Sequence, residues 1–496
     1  MERYIISIDQ GTSSTKCILV GADGRLLRRV NYPHSLLYPA EGFVEHDPME
    51  IAREVSDGIH LLTQQLPEGS VAAVALSVQT GAFLLWDAAT GQPVCNLIGW
   101  QDARGERVLC GMEPSQLQRL RACAYEPNGR TIPMKLLWLK QSLPAFDKLA
   151  SEKRLRFGTV DCWLIYQLTQ GRVHTCNSCN AGISRLFDTE REQWNEPLID
   201  ALGLPVEMFP TVLPDDALYG EVAAQCGLIP ISGVMGDSAA AMFGQCCLTP
   251  GDVKITYGTG ASYLLNIGST PRKPPQGISL SIGWKRGESR CFAWEGTVFY
   301  AGAAMRYLQE NLGLPIRFDG SENDATRLAD SLSGNDGVYF VPAFTGLGVP
   351  HIRQGDGGCL CGLRAHNTVA HFARAAMESV CYQIRDIAEV IAQEGYVLPN
   401  YVVADGGGSL SPFQMQFQAD ILPATVICSG VEEASALGAA FMAGLGTGVW
   451  HCEEELRAML RQTRASYAPL MSETLRQQYY EGWKSAMRKV YTVDKN

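Results

Sequence analysis

The stretch 4-YIISIDQGTSSTKCILV-20 decides how the chain is read. Residues 4–8 and 17–20 are apolar and rich in β-branched side chains, so both ends read as strands. A hairpin bend needs only a Gly or Asn that tolerates positive φ. This bend instead carries Asp9, Gly11, the hydroxyls of Thr12, Ser13, Ser14 and Thr15, and Lys16. Backbone N–H groups and hydroxyls gathered at one bend form a concavity that binds phosphate oxygens. Asp9 repels a phosphate unless a cation lies between them, so the bend predicts Mg²⁺ held by Asp9 and water.

The pattern returns in 251-GDVKITYGTGASYLLNI-267, again strand, Gly/Thr/Ser bend, strand. A degenerate internal repeat follows, and with it two related α/β halves, 1–245 and 246–496, meeting at a cleft. The loop 256-TYGTGAS-262 supplies the second phosphate clamp. Neither Gly-x-x-x-x-Gly-Lys-Ser/Thr nor Gly-x-Gly-x-x-Gly occurs, which argues against P-loop and Rossmann folds. Between the repeats, Gly236-Asp237-Ser238 opens a helix of small residues. Nothing bulky surrounds Asp237, which suits both an N-cap and a base that accepts the proton of an alcohol during phosphoryl transfer.

Composition narrows the partners. The chain has 496 residues, 46% hydrophobic and 19% charged, enough for two or three domains with full cores. A net charge of −11 argues against nucleic acid or an anionic membrane as the main partner. No leader pattern opens the chain, and no apolar run approaches the roughly 20 residues of a membrane span. Sixteen scattered cysteines read as thiols of a reducing cytoplasm. Cys176 and Cys179 have metal or redox spacing but lack a second ligand pair. They read as incidental, as do Cys359 and Cys361 in an alternating strand. Residues 47–65 read as a helix capped at Asp47-Pro48, 158–171 as a buried helix closing on Gly171, 367–393 as a long amphipathic helix, and 453–489 as helical.

Ordered blocks along the chain resemble the FGGY carbohydrate kinases: 8-IDQGTSSTK-16, 42-GFVEHDPMEI-51, 158-GTVDCWLI-165, 235-MGDSAAAMFGQ-245, 257-YGTG-260, 341-VPAFTGLGVP-350, 405-DGGG-408 and 436-ALGAAFMAGL-445. A family signature also runs through 358-GCLCGLRAHNTVAHFARAAME-378. The resemblance spans nearly the whole chain and is nearest the glycerol kinase branch. It implies an actin-like, RNase H-like domain, duplicated about a cleft that holds ATP. Position by position it implies Asp9 near the metal and phosphates, and Thr12, Ser13 and Lys16 in the first phosphate loop. It implies Thr259 in the second loop, Gly302 and Gly407 against the nucleotide, and Asp237 as catalytic base. Arg306 and Ser411 stand in place of the family's adenine-side glutamine and asparagine.

The acceptor side departs from that pattern. An Asn-Gln-Arg-Glu that grips glycerol is 78-VQTG-81 here, so Thr80 and Gly81 replace a charged pair. Arg130 falls near an acceptor-pocket tyrosine, Ser238 replaces a glutamine after the base, and Ser262 replaces a phenylalanine. The wording 100-WQDAR-104 is similar to sugar-specific branches such as xylulokinase. Thr80, Trp100, Asp102, Arg104, Arg130 and Ser238 are therefore expected around the acceptor, and an acceptor longer than glycerol, a polyol or ketose, is expected with them. The implied activity is ATP- and Mg²⁺-dependent phosphorylation of a primary hydroxyl of a small polyol or sugar, with closure of the halves excluding water. The assembly expected is a homodimer or homotetramer. An actin-like ATPase switch without a small acceptor is the reading from another class, and it has no use for Asp237, Trp100 or the 102–104 segment.

Overall fold

The computed structural model describes residues 2–318, 321, 324–344, 346–352, 357–397, 399–431, 433–459 and 463–491. Thr345 of the 341–350 block and residues 460–462 of the expected C-terminal helix lie outside them. Two compact units divide the chain: Met1–Cys246 with Ser281–Cys291 and Glu433–Arg461, and Cys247–Leu280 with Phe292–Glu432 and Gln462–Asn496.

The first unit is built on six strands, β1 (Tyr4–Gln10), β2 (Ser14–Gly21), β3 (Leu26–Pro33), β4 (Val71–Val78), β5 (Glu221–Ala224) and β6 (Gly227–Gly236). Their order is β5-β6-β4-β1-β2-β3. β1 pairs antiparallel with β2 and parallel with β4, and β4 is parallel to β6. All eight residues of β4 are buried, the mark of a strand covered on both faces. Helix α1 (Pro48–Thr63) crosses from β3 to β4, and Asp47 caps it by accepting the Met49 and Glu50 amides at 2.8 and 3.2 Å. Helix α2 (Asp237–Gly244) follows β6 directly.

A second sheet carries seven strands: β7 (Val253–Tyr257), β8 (Ala261–Gly268), β9 (Ser279–Arg286), β10 (Ser289–Val298), β11 (Tyr401–Asp405), β12 (Thr425–Ser429) and β13 (Thr463–Tyr467). Their order is β9-β10-β8-β7-β11-β12-β13. β7 pairs antiparallel with β8 and parallel with β11, and β11 is parallel to β12. This is the first unit's plan again: a meander of three, then two parallel strands beyond its first member. The duplicated α/β, RNase H-like fold is therefore present. Helix α3 (Gly302–Arg306) follows β10, and α4 (Val369–Gln393) takes the place that α1 holds in the first unit. α5 (Pro412–Ile421) links β11 to β12, and α6 (Ala434–Gly446) follows β12 and belongs to the first unit. The chain closes with α7 (Glu473–Tyr491).

The expected helix over 453–489 is corrected: β13 interrupts it as an antiparallel edge on β12. The buried helix expected over 158–171 is shorter, Val160–Leu168, because Thr159 still pairs with Phe83 in a strand. Close packing sets α2. A Cβ at Gly438 of α6 would stand 1.8 Å from the Ala240 carbonyl, and one at Gly244 2.2 Å from the Ala434 carbonyl. Only glycine lets these two helices meet backbone to backbone. Among the described residues no helix is long and apolar enough to cross a membrane.

Candidate active site

In the first unit, parallel pairing puts Asp9 of β1 opposite Ser77 of β4. The Ser77 hydroxyl donates to Asp9 Oδ1 at 3.0 Å. Burial pushes the Asp9 carboxyl up to about 6; Lys16 opposes this, Asp237 adds to it, the Ser77 bond opposes it and Glu433 adds to it. Asp9 and Asp237 thus share one electrostatic neighbourhood, the situation a bound cation relieves. Lys16 is engaged as well, its Nζ 2.7 Å from Glu433 Oε2, while Arg29 holds the other Glu433 oxygen at 3.1 Å. Glu433 stands in the left-handed region, φ 54°, just before α6. The bend closes through the Gly11 N–H on the Ser14 carbonyl at 2.9 Å, and leaves Ser13 exposed.

Asp237 is the first residue of α2, and the cap position belongs to Gly236 rather than to Asp237. Asp237 Oδ1 accepts the Ser238 N–H at 2.8 Å. Its flank is tight: a Cβ at Gly236 would stand 2.6 Å from Thr80 Cγ2 and 3.1 Å from Cys179 Sγ. Gly81 takes φ +75°, and a Cβ there would meet Trp100 Cβ at 3.3 Å. Thr80 and Cys179 thus pack on Gly236, the residue before Asp237, and Trp100 packs on Gly81. The Trp100 indole N–H donates to the Thr12 hydroxyl at 3.1 Å, and Thr12 donates to Gln79 Oε1 at 3.4 Å. Residues expected on the acceptor side and on the phosphate side are therefore hydrogen-bonded to each other, with Trp100 still 51% exposed.

Two expected acceptor contacts are corrected. Asp102 is fully buried and Arg104 nearly so. Asp102 accepts from Arg104 Nε and Nη2, both at 2.9 Å, and from the Val44 amide at 2.7 Å. Arg104 also binds Glu45 and lies over the Phe43 and Trp138 rings at 4.2 and 4.8 Å. Both oxygens of Asp102 are taken within this buried pair, which fixes the local fold. Arg130 is exposed, its amide on Asn128 Oδ1 at 2.9 Å. Lys135 has a definite task. Its buried ammonium donates to the Gly99 and Trp100 carbonyls at 3.0 and 3.3 Å and so fixes the Trp100 turn. Burial pulls it down to about 8, and Asp102 opposes that.

The second unit holds a cavity of about 640 Å³ lined by Thr259, Gly302, Arg306, Met377, Gly407 and Ser411, among others. Its loops are tied together. The Thr259 carbonyl accepts the Ala301 and Ala303 amides at 2.9 and 3.0 Å, and the Gly258 carbonyl accepts that of Gly302 at 3.0 Å. Gly406 takes φ +83°, and a Cβ there would lie 2.4 Å from the Tyr257 carbonyl; a Cβ at Gly407 meets no protein atom within 4 Å. Gly406 serves the fold, and Gly407 borders open space. Arg306 Nη2 donates to Thr259 Oγ1 at 3.2 Å. The Ser411 hydroxyl is already used, accepting from Thr326 Oγ1 at 2.9 Å and from the Gln414 amide at 3.3 Å as the cap of α5. Ser77, Gln79, Glu433 and Cys179 escaped sequence reasoning, because each reaches the site through parallel register or a distant segment rather than a motif.

Two sheets of one order, each with a hydroxyl-rich hairpin, one beside a helix-borne carboxylate and one beside a glycine-lined cavity, define a two-domain sugar-kinase phosphotransferase. The FGGY carbohydrate kinase N-terminal domain matches residues 4–244 and the C-terminal domain residues 253–447. The chain belongs to the FGGY family of carbohydrate kinases and is glycerol kinase-like. It is 38% identical to glycerol kinase 1 of Thermotoga maritima over 99% of this chain and 100% of that protein. It is also 38% identical to glycerol kinase of Symbiobacterium thermophilum over 98% of each. The glycerol kinase of Plasmodium falciparum, solved with ADP, superposes with a TM-score of 0.89 at 27% identity, covering 99% of this chain and 98% of that one. A xylulose kinase of Lactobacillus acidophilus shares the fold, with a TM-score of 0.85 at 19% identity, covering 99% and 98%.

Proposed function

We propose that the chain transfers the γ-phosphoryl group of ATP to a primary hydroxyl of a small, glycerol-sized polyol. The observation that carries this reading is the Asp237 carboxylate on α2, one residue after the Gly236 that packs on Thr80 and within the field of Asp9, in a chain this similar to glycerol kinases. Asp237 accepts the hydroxyl proton as the oxygen attacks phosphorus. The unit that holds residues 1–246 forms the acceptor domain and the unit that holds residues 292–432 the nucleotide domain, whose cavity takes the adenosine. The ADP in the Plasmodium relative supports ATP as donor.

Among the described residues no group of three or more His, Cys, Asp or Glu could hold a metal ion. That suits Mg²⁺, which keeps several waters and binds one or two carboxylates plus phosphate oxygens. Asp9, oriented by Ser77, would hold it, and the ion when bound neutralises charge on the phosphates. Thr12 and Ser13 bring hydroxyls to the same oxygens. All sixteen cysteines are free thiols, which fits a reducing cytoplasm.

The expectation of a longer acceptor leaned on Asp102 and Arg104 as extra hydroxyl partners. Asp102 is consumed by Arg104 and the Val44 amide, and Arg104 is buried against Asp102 and Glu45, which favours the smaller acceptor. Steady-state kinetics on glycerol, erythritol, xylitol, xylulose and ribulose test this. The highest kcat/KM for glycerol is expected. A ketose in that place would make the chain xylulokinase-like, and ADP release indifferent to every acceptor would make it an ATPase switch.

A further inference from the structure

Lys16 has a choice of carboxylates. In the hairpin register Asp9 of β1 lies directly opposite Lys16 of β2. Side chains so placed share a face of the sheet, with Cβ atoms only about 4.5–5.5 Å apart. The ammonium is nevertheless bonded to Glu433 Oε2, at 2.7 Å. The third strand supplies part of the reason. On β3, Asn31 stands opposite Lys16 and Arg29 opposite Ile18, so Lys16 and Arg29 are diagonal neighbours on that same face. Glu433 answers both cations, one oxygen to each, with Arg29 Nη1 3.1 Å from Oε1.

Glu433 is built into this place. It occupies the position just before α6, yet its side chain makes no cap bond to the helix. Its backbone is left-handed, φ 54°, a conformation that a residue with a Cβ keeps only where its surroundings enforce it. The first turn of α6 is tied to the hairpin, since the Ser7 hydroxyl of β1 donates to the Ala436 carbonyl at 2.6 Å. At 10% side-chain exposure the carboxylate is shielded from water, so its attraction for Lys16 is weakly screened.

We propose that Glu433 is the positioning residue for Lys16, keeping its ammonium off Asp9 and at the phosphate loop. The proposal rests on the reading of the 9–16 hairpin as a site for nucleotide phosphates. An ammonium has donors to spare beyond the one given to Glu433, and those serve the phosphate oxygens. Without Glu433, Lys16 and Asp9 would close on each other across the hairpin. One ion pair would then withdraw the phosphate cation and the metal carboxylate together.

The test reads binding rather than turnover. Titration calorimetry gives the Kd of ADP with Mg²⁺ for wild type, Glu433→Gln, Lys16→Ala and the double variant, with melting temperatures alongside. Glu433→Gln should weaken binding about tenfold in the wild-type background, within the coupling range of residues in contact. In the Lys16→Ala background it should cause no weakening, because no ammonium is left to misplace. Where Glu433→Gln melts earlier than wild type, Arg29→Gln takes its place in the cycle; Arg29 is half exposed, and its loss releases the Glu433 oxygen it holds. Equal weakening in both backgrounds would overturn the proposal. So would tighter binding by Glu433→Gln alone, which would make Glu433 a competitor of phosphate for Lys16. Wild type that binds no ADP would overturn the phosphate reading of the hairpin and the proposal with it, so the two failures are told apart by wild type itself.

Discussion

In the first unit the carboxylate, Asp9, sits on the hairpin strand and its hydroxyl partner, Ser77, on the parallel neighbour. In the second the hydroxyl, Thr256, sits on the hairpin strand and the carboxylate, Asp405, on the parallel neighbour. The residue two before each hairpin position separates them further. Lys254 is 2% exposed, donates to the Thr256 hydroxyl and lies 3.8 Å from Asp405 Oδ2. The matching Ser7 is neutral and donates to the Ala436 carbonyl at 2.6 Å. One scaffold thus carries a carboxylate answered by a buried cation in the second unit. In the first it carries a carboxylate that faces another carboxylate, Asp237, and shares Lys16 with Glu433. Carboxylates crowded together suit a metal; a carboxylate answered by a buried cation suits a nucleotide cradle.

The comparison implies that losses of chemistry follow the first-unit carboxylates and losses of stability the second-unit ones. The largest effect is expected from Asp237→Asn, where the amide keeps size but takes no proton. Turnover should fall about 10²–10⁴-fold, with nucleotide affinity and melting temperature near wild type. Turnover within a few-fold of wild type would remove Asp237 from the reaction.

Asp9→Asn and Asp405→Asn form the sharper pair. Asp9→Asn should lower activity and move its Mg²⁺ titration to higher concentration, because an amide is a poor partner for a hard cation. Asp405→Asn should leave that titration in place and lower stability by about 1–3 kcal/mol, since Lys254 loses the charge that offsets its burial. Equal Mg²⁺ shifts in both variants would erase the distinction.

Within the second unit, Gly406→Ala and Gly407→Ala separate fold from ligand. The first forces a Cβ into the Tyr257 carbonyl at a φ of +83° and should cost about 1–3 kcal/mol of stability. The second points its methyl into open space, so it should melt with wild type and raise the KM for ATP.

The smallest effect is on the pH dependence of stability without added Mg²⁺. The folded Asp9 carboxyl titrates near 6, above its ordinary 3.8. Its contribution to stability is therefore fully present below 3.8 and lost as pH rises through about 6. Relative to wild type, Asp9→Asn should gain melting temperature between pH 4 and pH 7. A difference that stays flat with pH would show that Asp9 is not held against its own ionisation.

Much of this site was legible in the chain because turn chemistry and capping are local. Surplus hydroxyls at 11–15 announce the first hairpin, and Thr-Tyr-Gly-Thr-Gly the second. Asp47-Pro48 announces its helix start, and Gly-Asp-Ser before a run of alanines announces α2. The repeat of the two hairpins also announced a duplicated fold, which the matching strand orders display. One local reading erred: Asp237 fits the cap rules, yet Gly236 is the residue with extended backbone before the first turn.

What the sequence by itself determined is therefore the inventory: two hairpins, one carboxylate poised on a helix, glycines where backbone must approach backbone, and the family they spell. Only the tertiary structure decided which of those groups are free to act. Asp102 and Arg104 read as acceptor contacts because their types suit hydroxyls, but burial closed them on each other and Glu45. Ser411 read as an adenine contact, but its hydroxyl caps α5. Ser77 meets Asp9 only through the register of strands 68 residues apart, and Glu433 meets Lys16 only because α6 belongs to the first unit. The physical reason is that side-chain type sets what a group can bond, whereas burial and strand register, fixed by contacts distant in sequence, set what it has left to bond with.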